Sequence, residues 1–196
     1  RLPLRSAVAG QAALEDEGGD AMAQPFTVRM AYLISRYPAV SHTFILREVL
    51  GLRALGCDIQ VASINPPDRS LTLMTQAEQT EAMQTYVVKR TPLTKILRAH
   101  WNTLRACPRG YLHGLQKALL LGGLDLRKLL YSIFYFVEAV LIGQWMMARR
   151  LHHLHVHFAT PAATVGLLAS QIFPLTFSLT VHGPDEFYDV PGYRLA

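Results

Sequence analysis

The chain has 196 residues, of which 51% are hydrophobic and 17% charged, and its formal net charge is +5. This length suits one well-packed domain and is short for two. The two cysteines, Cys57 and Cys107, lie far apart, which argues against a disulfide framework and a cysteine-based metal motif and indicates a reducing compartment.

Residues 1–25 are rich in Ala, Gly and acidic side chains and lack the apolar segment of a secretory signal. We expect them to be a disordered lead-in to one folded domain over residues 26–196. Because the chain begins with Arg1 and stops at Ala196 without a recognisable end, we expect it to be a fragment of a longer protein.

The first predicted elements form a βαβ unit. Strands rich in β-branched residues are predicted over 27–35 and 58–64, with an amphipathic helix over 42–55 between them. We expect the Ser41 hydroxyl to cap this helix and Gly56 to end it. Such a unit implies parallel strands joined by a right-handed crossover.

The middle of the chain is predicted to be mostly helical. A polar helical stretch (71–84) and a short strand (85–89) precede helices over 93–106, from Pro108 onwards, and over about 125–150. The first of these three helices is amphipathic, with apolar residues on one face and basic residues on another: Leu93, Ile96, Leu97, Trp101 and Leu104 against Lys95, Arg98 and Arg105.

Residues 129–147 are apolar enough to be tested as a membrane span. Glu138 lies at their centre, and a carboxylate in mid-bilayer costs about 2.5–3.5 kcal/mol. We therefore expect a helix buried between a sheet and a covering layer, or one lying partly in a membrane interface. The segment from Lys89 to Lys128 contains nine basic residues and one acid, Asp125. Such a basic segment is typical of a solvated face, of a surface that binds nucleic acid or of one that binds an anionic membrane.

Strands and helices continue to alternate towards the end of the chain. Strands are predicted over 154–158 and 175–181, and between them a helix over 160–172, with Thr160 as its cap and Pro161 in its first turn. This order predicts an α/β fold with a doubly wound, mostly parallel sheet.

Candidate functional residues follow the carboxyl ends of three predicted strands, where open α/β sheets bind their ligands. Residues 35–43 follow the first strand, Thr160 the fourth and "HGPDEF" the fifth. The helix N-termini near Ser41 and Thr160 suit an anion such as a phosphate. Three further side chains can bind hydroxyl groups or move a proton, namely His182, Asp185 and Glu186.

A phosphate-plus-hydroxyl site of this kind is typical of a nucleotide-sugar enzyme, although it is not unique to one. The plainer alternative is that His182 only satisfies a turn at the end of a strand. The sequence contains no GxGxxG after the first strand, no GxxxxGK[ST] and no GxSxG. His153, His155 and His157 alternate and share one face of a strand, but no nearby Cys or acid completes a zinc site, so no metal is expected.

Three segments together resemble family 4 glycosyltransferases, most closely those of bacterial exopolysaccharide synthesis. They are "AYLISRYPAVSHTFILREVLGLRALGCDIQVASINPP", "HVHFATPAATVGLLAS" and "FSLTVHGPDEF", in the family's order. The resemblance covers roughly residues 28–190. It implies the Rossmann-like amino-terminal, acceptor-side domain of a two-domain GT-B enzyme, whose carboxyl-terminal domain, absent from this chain, would hold the sugar donor.

The resemblance also implies roles for single residues. His182 corresponds to the histidine beside the donor sugar and the reacting centre, and Asp185 to an acid near acceptor or sugar hydroxyls. The first-strand loop, Arg36 to Thr43, corresponds to the loop that approaches the diphosphate. Many relatives have Gly residues or Ser-Glu-Thr in this loop, whereas this chain has Ser41-His42-Thr43 and no Gly. The other expected substrate contacts are Tyr37, Pro38, Ser41, Thr43, Thr160, Gly183 and Glu186.

The implied reaction is retaining transfer of a sugar from a nucleotide-sugar to a lipid-linked or polysaccharide acceptor, without a metal or other cofactor. The implied location is the cytoplasm, at the inner face of the plasma membrane, with residues 93–128 on anionic lipid and no nucleic-acid partner. Two alternatives remain, a non-catalytic α/β module that binds an anion or nucleotide, and a membrane-associated fragment.

Overall fold

A computed structural model of the protein describes residues 28–182. The predicted lead-in and three predicted site residues, Gly183, Asp185 and Glu186, lie outside the described residues. Five parallel strands form one sheet within the described part: β1 (Arg29–Arg36), β2 (Asp58–Asn65), β3 (Tyr86–Val87), β4 (His153–His157) and β5 (Thr176–Thr180). The helices there are α1 (Thr43–Ala54), α2 (Gln76–Gln84), α3 (Leu93–Ala106), α4 (Pro108–Gly122), α5 (Leu126–Ala148) and α6 (Pro161–Ile172).

The strand order β3-β2-β1-β4-β5 makes the sheet doubly wound. The chain runs outward from β1 to β3, then returns through three helices to place β4 on the other side of β1. The register aligns Leu33 of β1 with Ala62 of β2 and Val156 of β4. This arrangement confirms the predicted Rossmann-like α/β fold, and it puts the topological switch point between the carboxyl ends of β1 and β4.

Strand alternation sends side chains to two different layers. Tyr32 and Ile34 of β1 pack with Ile45 and Val49 of α1 on one face of the sheet. Ala31 and Leu33, together with β4 residues Leu154 and Val156, face the larger core that α5 and α6 cover. His153, His155 and His157 alternate with Leu154 and Val156, so β4 turns its histidines towards the α1 side of the sheet.

Helix α5 has two different halves. Its carboxyl-terminal half is buried from Ala139 to Gly143 and again at Trp145 and Met146, packed against α6 and α4. Its amino-terminal half exposes large apolar side chains, among them Leu126, Leu130 and Phe134. The helix is long and apolar enough to cross a membrane by length and composition, yet half of its most apolar stretch is buried inside the protein.

Helix starts differ in detail from the prediction. A 3-10 turn over Val40–His42 precedes α1, whose N-cap is His42, so the prediction that Ser41 caps this helix is wrong. Gly56 does follow the helix in a left-handed conformation, with φ of 88°. Thr160 is the N-cap residue of α6 as predicted, but its side chain makes no capping hydrogen bond.

Candidate functional site

The candidate site lies at the switch point, where three strand ends and two helix starts meet. The Ser35 hydroxyl in β1 and the Thr160 hydroxyl before α6 lie 2.7 Å apart, which ties the end of β1 to the start of α6. The first amides of α6 add the positive end of a helix dipole to this rim.

The imidazole of His182 follows β5 and reaches across to β4 and α1. Its Nε2 lies 2.8 Å from Nδ1 of His157, the last residue of β4. The His182 ring also contacts the rings of Phe44 in α1 and Phe158 after β4, with centroids 4.9 Å away in both cases. His182 is partly exposed at this rim.

His157 is the buried partner in this pair. Its side chain is 1% exposed, and its Nε2 has no hydrogen-bond partner among the described residues. Oε1 of Glu48 in α1 lies 3.7 Å from that nitrogen and accepts a 2.7 Å hydrogen bond from the hydroxyl of Tyr32. Burial lowers the pKa of His157 to about 4, although Glu48 opposes the shift. His157 is therefore a neutral imidazole at pH 7.

The other two histidines of β4 bind hydroxyls on β5. Nε2 of His153 and Nδ1 of His155 lie 2.8 Å and 2.7 Å from the Ser178 hydroxyl, and Nε2 of His155 lies 3.2 Å from the Thr180 hydroxyl. No group of three His, Cys, Asp or Glu residues between 28 and 182 is arranged to hold a metal ion. The alternating histidines instead form a polar ladder between two neighbouring strands.

The loop between β1 and α1 is fixed from beneath. The Tyr37 amide donates to the Ser63 hydroxyl at 3.0 Å, and the fully buried Tyr37 hydroxyl donates to Glu81 at 3.1 Å. Pro38 is buried as well, whereas Ser41 and Thr43 are exposed. Tyr37 and Pro38 therefore lie beneath the loop, and Ser41 and Thr43 lie on its exposed side.

A cavity of about 670 Å³ opens beside the rim, between the sheet edge and α5. Ser35, Asn65, Pro161 and Ala162 line it at the rim, and Glu138 lines it on α5. Burial raises the pKa of the Glu138 carboxyl from 4.5 to about 6, while the charge of Lys89 partly opposes this. The sequence placed Glu138 inside an apolar helix, but only the fold shows that it faces a cavity.

The same cavity touches an exposed apolar surface. Tyr131 and Phe134 line the cavity and are themselves about half exposed. We name the α3–α5 apolar surface for the large apolar side chains that three mutually packed helices leave exposed: Leu93, Leu97, Trp101, Leu104, Leu112, Leu119, Leu120, Leu126, Leu130, Tyr131, Ile133 and Phe134.

Basic side chains accompany this surface. The guanidinium groups of Arg105 and Arg127 lie over the rings of Trp101 and Tyr131, at 5.7 Å and 5.9 Å. Most of the predicted apolar face of α3 points outward, whereas Ile96 of that face packs against the core and the small residues Ala99 and Thr103 are buried. Burying small residues and exposing leucines is the reverse of an ordinary core helix.

Sequence reasoning missed four residues of the site. Phe44, Glu48, His157 and Phe158 surround His182 or support it. The sequence singled out only His157 of these four, and only as a candidate zinc ligand. The alternation of the β4 histidines was the available signal for His157, because it places that residue on the face that α1 covers.

No protein-family model matches the chain, and comparisons with curated proteins and with solved structures found no match.

Proposed function

We propose that this chain is the acceptor-side domain of a glycosyltransferase that moves a sugar from a nucleotide-sugar to a lipid-linked acceptor. The observation that supports this most is the position of His182, a partly exposed imidazole at the switch point of a parallel sheet. Ligands of open α/β folds bind at that point. The proposal also draws on the sequence resemblance to family 4 glycosyltransferases.

The chemistry available at the rim fits this reaction. The amides at the start of α6, near Thr160, suit the phosphate groups of a nucleotide-sugar. An imidazole can donate or accept a hydrogen bond, so the side chain of His182 has the chemistry to bind a sugar hydroxyl. In this role His182 orients the sugar and stabilises the transition state, and it forms no covalent bond.

The α3–α5 apolar surface supports a membrane-bound acceptor. Exposed leucines and aromatic rings enter the apolar boundary of a bilayer, while neighbouring Lys and Arg side chains pair with anionic headgroups. Each cation near such a surface contributes about 1 kcal/mol. The cavity beside Glu138 joins this surface to the rim, so an acceptor with a hydrocarbon body and a sugar head fits the geometry. The protein would then act at the inner face of the plasma membrane.

A transfer assay on the full-length gene product tests the proposal. The enzyme is incubated with a panel of radiolabelled nucleotide-sugars and a bacterial lipid extract, and the label in the organic phase is counted. We expect one donor to be used, and His182→Ala to lower turnover by about 10²-fold or more, as loss of a positioned transition-state contact does. His152→Ala, a change at an exposed histidine outside the site, serves as the matched control.

Two results would overturn the proposal. The first is no transfer from any nucleotide-sugar, which would favour the non-catalytic anion-binding alternative if the protein still bound a nucleotide. The second is a His182→Ala enzyme that turns over as fast as the wild type.

A further inference from the structure

A second cavity, of about 700 Å³, lies beside β3 at the edge of the sheet, two strands away from β1. It shares only Thr91 and Leu141 with the cavity beside Glu138, and no residue at the switch point lines it. Its volume is in the range of pockets that hold small ligands, about 300–1,000 Å³. The proposed function gives this cavity no role.

The walls of the second cavity are largely apolar. Four of its lining side chains are less than a tenth exposed: Met74, Val87, Leu141 and Trp145. Tyr86 also lines the cavity, and its ring stacks on that of Trp145 with the centroids 5.5 Å apart. Walls of this kind favour a ligand with a hydrocarbon body, because the ligand then removes apolar surface from water.

The charged side chains that line this cavity are all basic. They are Arg69, Arg90 and Lys95, and no Asp or Glu among the described residues lines the cavity with them. Arg69 is already paired, because its guanidinium group contacts the carboxylates of Asp68 and Glu78. Arg90 and Lys95 are exposed and form no ion pair within the described part of the chain. Two cations without an acid partner therefore remain at the cavity.

The start of α3 adds to this positive charge. Pro92, its N-cap residue, and Lys95, in its first turn, both line the cavity. The first turn carries no acid to offset the positive end of the helix dipole, and a lysine at this end of a helix is unfavourable. An anion bound beside Lys95 would offset both charges.

We propose that the second cavity binds one molecule of an anionic amphiphile, a hydrocarbon chain that ends in a phosphate or a carboxylate. The anionic head pairs with Arg90 and Lys95 on the exposed side, and the chain lies against the buried side chains of Val87, Leu141 and Trp145. This inference goes beyond the proposed function and does not depend on it, because no residue of the His182 site takes part.

Tryptophan fluorescence of the 196-residue chain tests the proposal, because its two tryptophans lie in different places. Trp145 lines the cavity, whereas Trp101 is exposed on the α3–α5 apolar surface. In Trp101→Phe the remaining signal comes from Trp145 alone. We expect dibrominated stearate, whose bromine atoms quench a tryptophan on contact, to quench this signal. An unquenched Trp145 in a chain with native circular dichroism would overturn the proposal.

Four competing probes, each below its micelle-forming concentration, separate the contributions of head and chain. We expect dodecyl phosphate and dodecanoate to displace the brominated stearate at concentrations at least tenfold lower than uncharged dodecyl maltoside does. Inorganic phosphate, a head without a chain, should not displace it. Equal displacement by dodecyl maltoside or by inorganic phosphate would overturn the proposal. The stronger of the two charged amphiphiles identifies the preferred head group.

Variants locate the head and the chain. Arg90→Gln combined with Lys95→Gln should weaken binding of dodecyl phosphate by about tenfold or more, because both charged contacts are lost. Arg47→Gln combined with Lys117→Gln, the same charge change at exposed residues outside the cavity, is the matched control. Ala82→Leu, at a partly exposed position that lines the cavity, should block the chain. Equal weakening in both double variants, or unchanged binding in Ala82→Leu, would contradict the proposed site.

Discussion

Tyr37 donates a 3.1 Å hydrogen bond to Glu81 beneath the first-strand loop, in a buried site that Arg53 also enters. The carboxylate raises the pKa of Tyr37 above its ordinary value, after burial itself. We expect Tyr37→Phe to lower the free energy of unfolding by about 1.5–3 kcal/mol, because a buried charged acceptor loses its donor. Urea unfolding measures this. Tyr131→Phe, at an exposed tyrosine, is the control, and an equal loss in both variants would refute the role of the pair.

Gly143 packs directly against the ring of Phe173, where α5 meets the residue that follows α6. A methyl group on Gly143 would overlap the ring, so Gly143→Ala should lower the free energy of unfolding by about 1–3 kcal/mol. Gly51 in α1 has open space around it, and Gly51→Ala should raise stability by about 0.5–1 kcal/mol. Thermal unfolding of both variants measures these changes. Equal melting temperatures for Gly143→Ala and Gly51→Ala would contradict the prediction.

Glu138 gives the protein a pH-dependent stability. Its pKa is raised in the folded state, so the folded form prefers the neutral carboxyl, and stability falls as pH rises through the range from 4.5 to about 6. The pKa difference corresponds to about 2 kcal/mol. We therefore expect Glu138→Gln to gain about 2 kcal/mol relative to the wild type between pH 4 and pH 7.5.

Denaturant unfolding at both pH values measures that gain. His157 contributes in the opposite direction, because its depressed pKa removes stability as pH falls from 6.5 to about 4. Its contribution cancels when Glu138→Gln is compared with the wild type at each pH. A constant difference between the two proteins would show that Glu138 is not desolvated by the cavity.

The α3–α5 apolar surface predicts binding to anionic membranes. Replacing Lys95, Arg98 and Arg105 by Glu should weaken binding to phosphatidylglycerol-containing vesicles by about 10²-fold, since each cation contributes about 1 kcal/mol. Leu97→Glu and Trp101→Glu should weaken binding at high salt as well, because they remove apolar insertion. Leu73→Glu is the matched control, at an exposed leucine outside this surface. Vesicle sedimentation that is unaffected by the charge reversals would disprove the membrane contact.

Most of the fold could be predicted because its signals are local. The β-branched run before Pro38, the Gly56 helix end and the start at Pro108 fixed element positions to within one or two residues. The alternating order of strands and helices then predicted a doubly wound sheet. The end of α3 at Ala106 was also predicted correctly.

The site was less predictable because its contacts join distant parts of the chain. His157 and His182 are 25 residues apart, and Glu48 comes from α1. The prediction that Ser41 caps α1 was also wrong, because a 3-10 turn over Val40–His42 moves the helix start by one residue. The orientation of α3 could not be inferred from amphipathicity, since a stripe of leucines does not reveal whether protein or solvent lies beside it.

Helix α5 rises about 35 Å over its 23 residues if each adds 1.5 Å. The parts of this helix have different surroundings: its first turns carry exposed rings, its middle lines the cavity, and its buried carboxyl-terminal half packs against α4 and α6. Phe134 is exposed on this helix and also lines the cavity, so a partner bound at Phe134 would lie next to the cavity wall. In the proposed function, membrane attachment and acceptor entry would therefore both involve this one helix.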